Sequence, residues 1–151
     1  MDADKLIIAF GGLELALHTP DIAGIFEPRR IPRLPYGSGL ATGVISMRGE
    51  PIVVIDLRRA FNLPPLGRDE AVCRRVVVVK TRGRHIGLDI GTASLGFIWA
   101  EEALNGNMAQ EKLGFTNSIL ELNGRRVRVI DCAALFDETA RALSTELISA
   151  Q

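Results

Sequence analysis

The stretch Gly43-Val-Ile-Ser-Met-Arg-Gly-Glu-Pro-Ile-Val-Val-Ile-Asp-Leu-Arg-Arg-Ala-Phe-Asn-Leu63 decides the fold of this chain. A strand-like run from Thr42 to Met47 meets a turn at Arg48-Gly49-Glu50. The apolar run Pro51-Ile52-Val53-Val54-Ile55 follows without alternation, the pattern of a strand covered on both faces. Asp56 then stands where an N-cap opens a short helix, which Pro64-Pro65 must end. The order is strand, tight turn, strand, capped helix. The same order recurs 75 residues later: Val44-Ile45 meets Ile119-Leu120, Met47 meets Leu122, and Gly49 meets Gly124. Ile52, Val54 and Ile55 meet Val127, Val129 and Ile130, Asp56 meets Asp131, and Phe61 meets Phe136. At a slightly shorter offset Ala16-Leu17 pairs with Gly87-Leu88. Half a chain of this size is too small to be stable alone. The repeat therefore predicts an all-β chain of two small antiparallel barrels packed around one continuous core, with a C-terminal helix. The first barrel would cover about 5–65, the second about 72–131, and the helix about 132–149.

Outward from that stretch, Leu6 to Phe10 reads as a strand broken by Gly11-Gly12. Leu13, Leu15 and Leu17 then alternate with Glu14, Ala16 and His18, which predicts a clean inner face of period two. Thr19-Pro20-Asp21 reads as a turn or helix start, and Pro28, Pro32 and Pro35 exclude regular helix around Arg29, Arg30 and Arg33. Tyr36-Gly-Ser-Gly39 reads as a loop. Val72 to Thr81 is a strand, turned by Arg82-Gly83 into Arg84 to Ile90, and Leu95 to Trp99 is again strand-like. Glu101 to Lys112 is polar with a helical start, and Asn123-Gly124 marks a hairpin after Ser118 to Leu122. In the tail Phe136, Ala140, Leu143 and Leu147 fall at helical spacing and predict the buried stripe.

Composition narrows the function. Of 151 residues 47% are apolar and 24% charged, enough to form a core. Basic and acidic residues number 18 each and are shared evenly between the halves, which argues against a dedicated nucleic-acid or membrane-surface binder. No apolar run reaches membrane-spanning length, and the Met1-Asp-Ala-Asp start is acidic where a signal peptide is basic, so a cytoplasmic protein is expected. Cys73 and Cys132 sit in apolar runs as buried thiols, far from any CxxC spacing, and His18 and His85 stand alone. No nucleophile–base, zinc or phosphate-loop motif occurs. The expectation is no enzyme activity, no cofactor and no metal.

The quoted stretch closely resembles the signature of the CheW chemotaxis coupling protein family. Gly43, Val44, Ile45, Arg48, Gly49, Asp56, Leu57, Arg58 and Phe61 match its glycine–valine, arginine–glycine and Asp-Leu-Arg…Phe positions. Ser46 and Met47 replace the family's Asn and Leu, Gly24 stands where a Glu is common, and Gly91 where an Asp is common in the second barrel. The resemblance implies two SH3-like five-stranded barrels related by pseudo-twofold symmetry. It also implies a non-enzymatic adaptor that bridges chemoreceptor cytoplasmic tips and the regulatory domain of a CheA-type histidine kinase, without membrane insertion.

On that resemblance the expected partner-binding residues are Ile22, Gly43, Arg48, Gly49, Gly87 and Ala93. Arg48 would offer a planar guanidinium to a carboxylate, with Glu27 as an internal alternative. The glycines would let a receptor helix approach closely, and Ile22 and Ala93 would wall an apolar groove. By composition alone the glycines are turn or bulge positions and the two apolar residues ordinary core. Arg29, Arg30 and Arg33 read as a solvated loop or a phosphate patch. The rival class is a small-barrel nucleic-acid binder, resting on arginines at 29–33, 74–75, 82–84 and 125–128.

Overall fold

The computed structural model describes residues 4–34, 39–64, 74–98, 104–105, 114–122 and 124–149, without the side chains of 104–105 and 144–149. The opening hairpin is Lys5–Ala9 (β1) and Glu14–His18 (β2), closed by the Phe10 N–H donating to the Leu13 carbonyl at 2.9 Å. A single 3-10 turn at Thr19–Asp21 leads into Ile22–Phe26 (β3). Then come Ala41–Met47 (β4), Glu50–Asp56 (β5) and the helix Leu57–Ala60 (α1). Asp56 caps that helix as expected: its carboxylate accepts the Arg58 and Arg59 N–H groups, which an isolated first turn would leave unpaired. The second half holds Arg75–Thr81 (β6), Arg84–Gly91 (β7), Ser94–Ile98 (β8), Leu104–Asn105 (β9), Thr116–Leu122 (β10), Arg125–Ile130 (β11) and Cys132–Ser149 (α2).

The strands form two sheets, in the orders β8-β1-β2-β11-β10-β9 and β3-β6-β7-β5-β4. The fold class is the expected one, with five principal strands in each sheet and a C-terminal helix. Contiguous barrels over 5–65 and 72–131, however, are not how the strands pair. The chain divides into one unit of 1–22 with 93–131, and another of 23–92 with 132–151. Each repeat's opening hairpin is inserted between the third strand and the last two strands of the other repeat. The seams are parallel: β5 beside β7, and β11 beside β2. Hydrophobic patterning marks which residues are buried but carries no information on which repeat supplies the neighbouring strand, so the exchange escaped the sequence.

The repeat itself is reproduced down to the backbone. β4 and β10 both carry a register shift, between Ala41 and Gly43 and between Thr116 and Ser118, and Gly43 faces Val54 as Ser118 faces Val129. The Asp56 N–H donates to the Leu40 carbonyl at 2.9 Å, and the Asp131 N–H to the Phe115 carbonyl at 2.7 Å. Gly87 lies beside Val54 as Ala16 lies beside Val129, which is the pairing the shorter offset implied.

Each unit has its own apolar cluster. In one, Ile7 and Ala16 pack with Leu120, Leu122, Val127 and Val129; in the other, Ile45, Ile52 and Val54 pack with Val76 and Val78. The four consecutive valines of β6 are fully buried, as a strand without alternation should be. The clean inner face expected for β2 is not found: Ala16 is as buried as Leu15 and Leu17, so both faces of the strand are covered. In α2 the buried stripe is rotated by one position from the expected one. Leu135 and Thr139 are buried and Ala140 is exposed. Thr139 can lie inside because its hydroxyl donates to the Leu135 carbonyl at 2.8 Å. The side chain of Leu147 lies outside the described residues, as do Tyr36 to Ser38, Cys73, Trp99 and Asn123. Of the polar segment with an expected helical start, 104–105 are described, and they pair as strand with Ile119 and Leu120.

Because β1–β2 has no sheet partner within its own repeat, a fragment of residues 1–63 should show no cooperative melting by circular dichroism. A sharp thermal transition in that fragment would contradict the exchanged pairing.

Candidate functional site

The β4–β5 hairpin closes through a two-residue loop, since Met47 pairs with Glu50. Arg48 has φ 52° and Gly49 φ 80°. Two positive values suit the right-handed strand twist, which is why such loops favour Asn-Gly or Gly-Gly. An arginine in this region costs about 1 kcal/mol. Strain alone does not single Arg48 out, because Arg82 (φ 56°) and Gly83 (φ 72°) turn β6 into β7 the same way. What differs is the side chain. The Arg82 guanidinium donates to Asp137 of α2 at 2.8 Å, whereas that of Arg48 is exposed and has no hydrogen bond or ion pair among the described residues, to Glu27 or otherwise. Gly49 beside it faces open space.

Gly43 and Gly87 are brought into one row, Gly43–Val54–Gly87–Val78, across β4, β5, β7 and β6. Both are buried, and the space a side chain would need is filled by the chain's own atoms. A Cβ at Gly43 would lie 2.4 Å from the Pro32 carbonyl oxygen, because residues 31–33 run along the outer edge of β4 and Val44 N–H donates to that same oxygen at 2.9 Å. A Cβ at Gly87 would meet Val76 Cγ1 at 2.9 Å. Close approach is indeed what these glycines permit, but the approaching atoms are internal. Ile22 is half-buried at the start of β3, and Ala93 is buried just before β8. Near them, on the outermost strands of their respective sheets, Ile25 and Phe26 of β3 and Phe97 of β8 are exposed, the last at 60%.

Two features were not singled out from sequence. Asp89 on β7 is buried, with one carboxylate oxygen 2.6 Å from Arg74 Nη2 and the other accepting the Gly91 N–H at 2.9 Å. Burial pushes its carboxyl above the usual carboxylate range; Gly91 and Arg74 pull against that without reversing it, and the Asp56 charge adds to it. Beside this pair lies a cleft of about 510 Å³ onto which Arg33, Arg59 and Arg74 converge with Asp56. Arg33 stood in the proline-interrupted arginine cluster, but nothing in sequence tied it to residues 26 and 41 positions further on.

Among the described residues no group of three or more His, Cys, Asp or Glu is placed to hold a metal, and no helix is long and apolar enough to cross a membrane. Residues 5–140 match the family model described as a CheW-like domain. A probable chemotaxis protein CheW from Rhizobium etli is 25% identical over 144 residues, covering 90% of each chain. The crystal structure of the scaffolding protein TtCheW from Thermoanaerobacter tengcongensis superimposes with a TM-score of 0.75 at 19% identity, covering 90% of this chain and 93% of that one.

Gly43→Ala should lower stability by about 1–3 kcal/mol in urea melts, and by more than Gly87→Ala. The first clash is with backbone oxygen and the second with a side chain that can give way. Equal losses would show that the Pro32 contact does not constrain β4. Arg74→Ala should cost about 2–3 kcal/mol at neutral pH by leaving a buried carboxylate unpaired. Since the folded-state value of Asp89 lies above the unfolded one, the folded state takes up the proton first as pH falls. The penalty in Arg74→Ala should therefore shrink on acidification toward the ordinary carboxylate range. A penalty that grows in acid would reverse the sign assigned to Asp89.

Proposed function

The chain belongs to the CheW-like family, and from that premise we propose that it is a non-enzymatic adaptor coupling chemoreceptor cytoplasmic tips to the regulatory domain of a CheA-type histidine kinase. The observation that carries the reading is the Arg48 guanidinium, exposed on a two-residue turn and uncommitted among the described residues. A planar five-donor fork on a pre-organised backbone suits a partner carboxylate and loses little freedom on binding. The Glu commonly present in the family is Gly24 here, which leaves the arginine available. Exposed Phe97, Ile25 and Phe26 offer apolar anchors of the kind that protein contacts use. In this reading Arg48, Gly49 and Ile22 contact partners. Gly43, Gly87 and Ala93 act from inside by fixing the strands that carry them.

An interface that must exchange within an array should bury on the order of 800 Å² per partner or less, with few residues carrying the energy. The nucleic-acid alternative finds no support, since arginines from three of its clusters (Arg74, Arg82 and Arg125) are paired with Asp89, Asp137 and Glu14.

Arg48→Ala should weaken binding to the kinase regulatory domain or to a receptor-tip fragment by more than tenfold, about 1.4 kcal/mol. Its melting temperature should not fall, because no ion pair with Glu27 is lost, and Glu27→Ala should leave affinity unchanged. Unchanged affinity for both partners in folded Arg48→Ala protein would remove the coupling role.

A further inference from the structure

The cleft beside Asp89 opens at the end of the β4–β5 hairpin opposite Arg48. Ala41 and Thr42 begin β4 and Asp56 ends β5, so about 20 Å of strand separates it from the turn. Its polar wall is unevenly satisfied. Arg59 Nη1 donates to the Gly39 carbonyl at 2.8 Å, and Arg74 Nη2 is held by Asp89. Arg74 Nε, by contrast, is buried with no acceptor, and the Arg33 guanidinium has no hydrogen bond among the described residues. A buried N–H donor without a partner is unfavourable, and an incoming oxygen would recover that loss. Ile31, Leu34 and Ala41 give the cleft a smaller apolar side, beside Thr42.

We propose that this cleft is a docking site for a single carboxylate side chain of an acidic peptide segment on a partner protein. Among the described residues three guanidinium groups face two carboxylates, Asp56 and Asp89, and leave one positive charge unmatched. One carboxylate balances that charge, whereas a phosphate dianion would overshoot it. Asp56 does not supply the missing acceptor: its Oδ1 takes the Arg58 and Arg59 N–H groups at 3.1 and 3.3 Å, and neither Arg33 nor Arg74 Nε bonds to its carboxylate among the described residues. The apolar side gives the residues flanking the carboxylate a surface to cover, which a free inorganic anion lacks. A volume of about 510 Å³ is that of a small-ligand site and accommodates a side chain with its neighbours. The protein-borne source of the carboxylate rests on the adaptor reading; the charge balance and the unpaired donors do not.

The test is an NMR titration of the full chain with the blocked tripeptide acetyl-Leu-Glu-Leu-amide, its Gln counterpart, and inorganic phosphate. The Glu peptide should move the backbone amides of Thr42, Arg59 and Arg74 saturably, with a dissociation constant on the order of 1 mM. The Gln peptide should bind about tenfold more weakly, and Arg33→Gln should weaken the Glu peptide by a similar factor. Arg33 is exposed, so the variant should keep the spectrum of the folded protein elsewhere, and Arg29→Gln, from the same arginine cluster, should bind as the parent does. Phosphate should give no saturable shift at these amides. The proposal is overturned if the Glu peptide does not saturate, if the Gln peptide matches it, if Arg33→Gln is without effect, or if phosphate binds more tightly. None of these results touches the Arg48 experiment, which uses whole partners, so the two readings fail separately.

Discussion

Everything in this fold depends on two parallel seams, β5 beside β7 and β11 beside β2. A two-stranded hairpin is marginal in water, and each repeat's opening hairpin finds its sheet only among strands of the other repeat. Val54 next to Gly87 and Val129 next to Ala16 are the contacts at which the repeats interlock. The second seam joins residues more than a hundred positions apart, so loop closure must precede its reward, an arrangement that favours slow folding. Neither half of the chain can complete a sheet, although each half carries nearly the same instructions.

The β4–β5 hairpin is the frame on which both candidate surfaces are mounted. At one end a strained two-residue turn projects Arg48; at the other Asp56 stops the strand, caps α1 and borders the arginine cleft. Between them Gly43 lets residues 31–33 lie directly on the outer strand edge. That contact covers an edge that would otherwise invite strand addition, and it also positions Arg33 and Leu34 on the cleft. One missing side chain thus links edge protection to the geometry of the proposed docking site.

Charge follows the same economy. The chain is formally neutral, and four of its fifteen arginines are matched in ion pairs among the described residues: Arg74 with Asp89, Arg82 with Asp137, Arg125 with Glu14, Arg141 with Glu138. Most of these pairs are solvent-exposed and contribute little to stability. With 18 acidic residues against 18 basic ones no broad positive field is expected, and an exposed guanidinium such as that of Arg48 acts at short range. That suits recognition of individual carboxylates better than attraction to a polyanion.

The sequence by itself determined the periodic features. The 75-residue repeat, the Asp56 cap, the valine run of β6 and the Arg-Gly turns were all legible, because each depends on residues within one element. The resemblance of 43–63 to a known signature was legible for the same reason. Tertiary structure decided what local pattern cannot encode. Ala16 reads as outward until the opposite face of β2 is covered, and the buried stripe of α2 reads through Phe136 and Ala140 until Leu135 and Thr139 are seen to be the buried pair, joined by the Thr139 hydroxyl and the Leu135 carbonyl. Gly43 and Gly87 read as openings for a partner until Pro32 and Val76 occupy the space. Arg33 reads as part of a solvated loop or phosphate patch, and Arg74 as part of another arginine cluster, until strand exchange sets β6 and β7 beside β5 and brings both onto one cleft with Arg59. Backbone propensity and hydrophobic period act over a few residues, whereas burial, donor satisfaction and charge balance are properties of neighbours that only the completed sheet supplies.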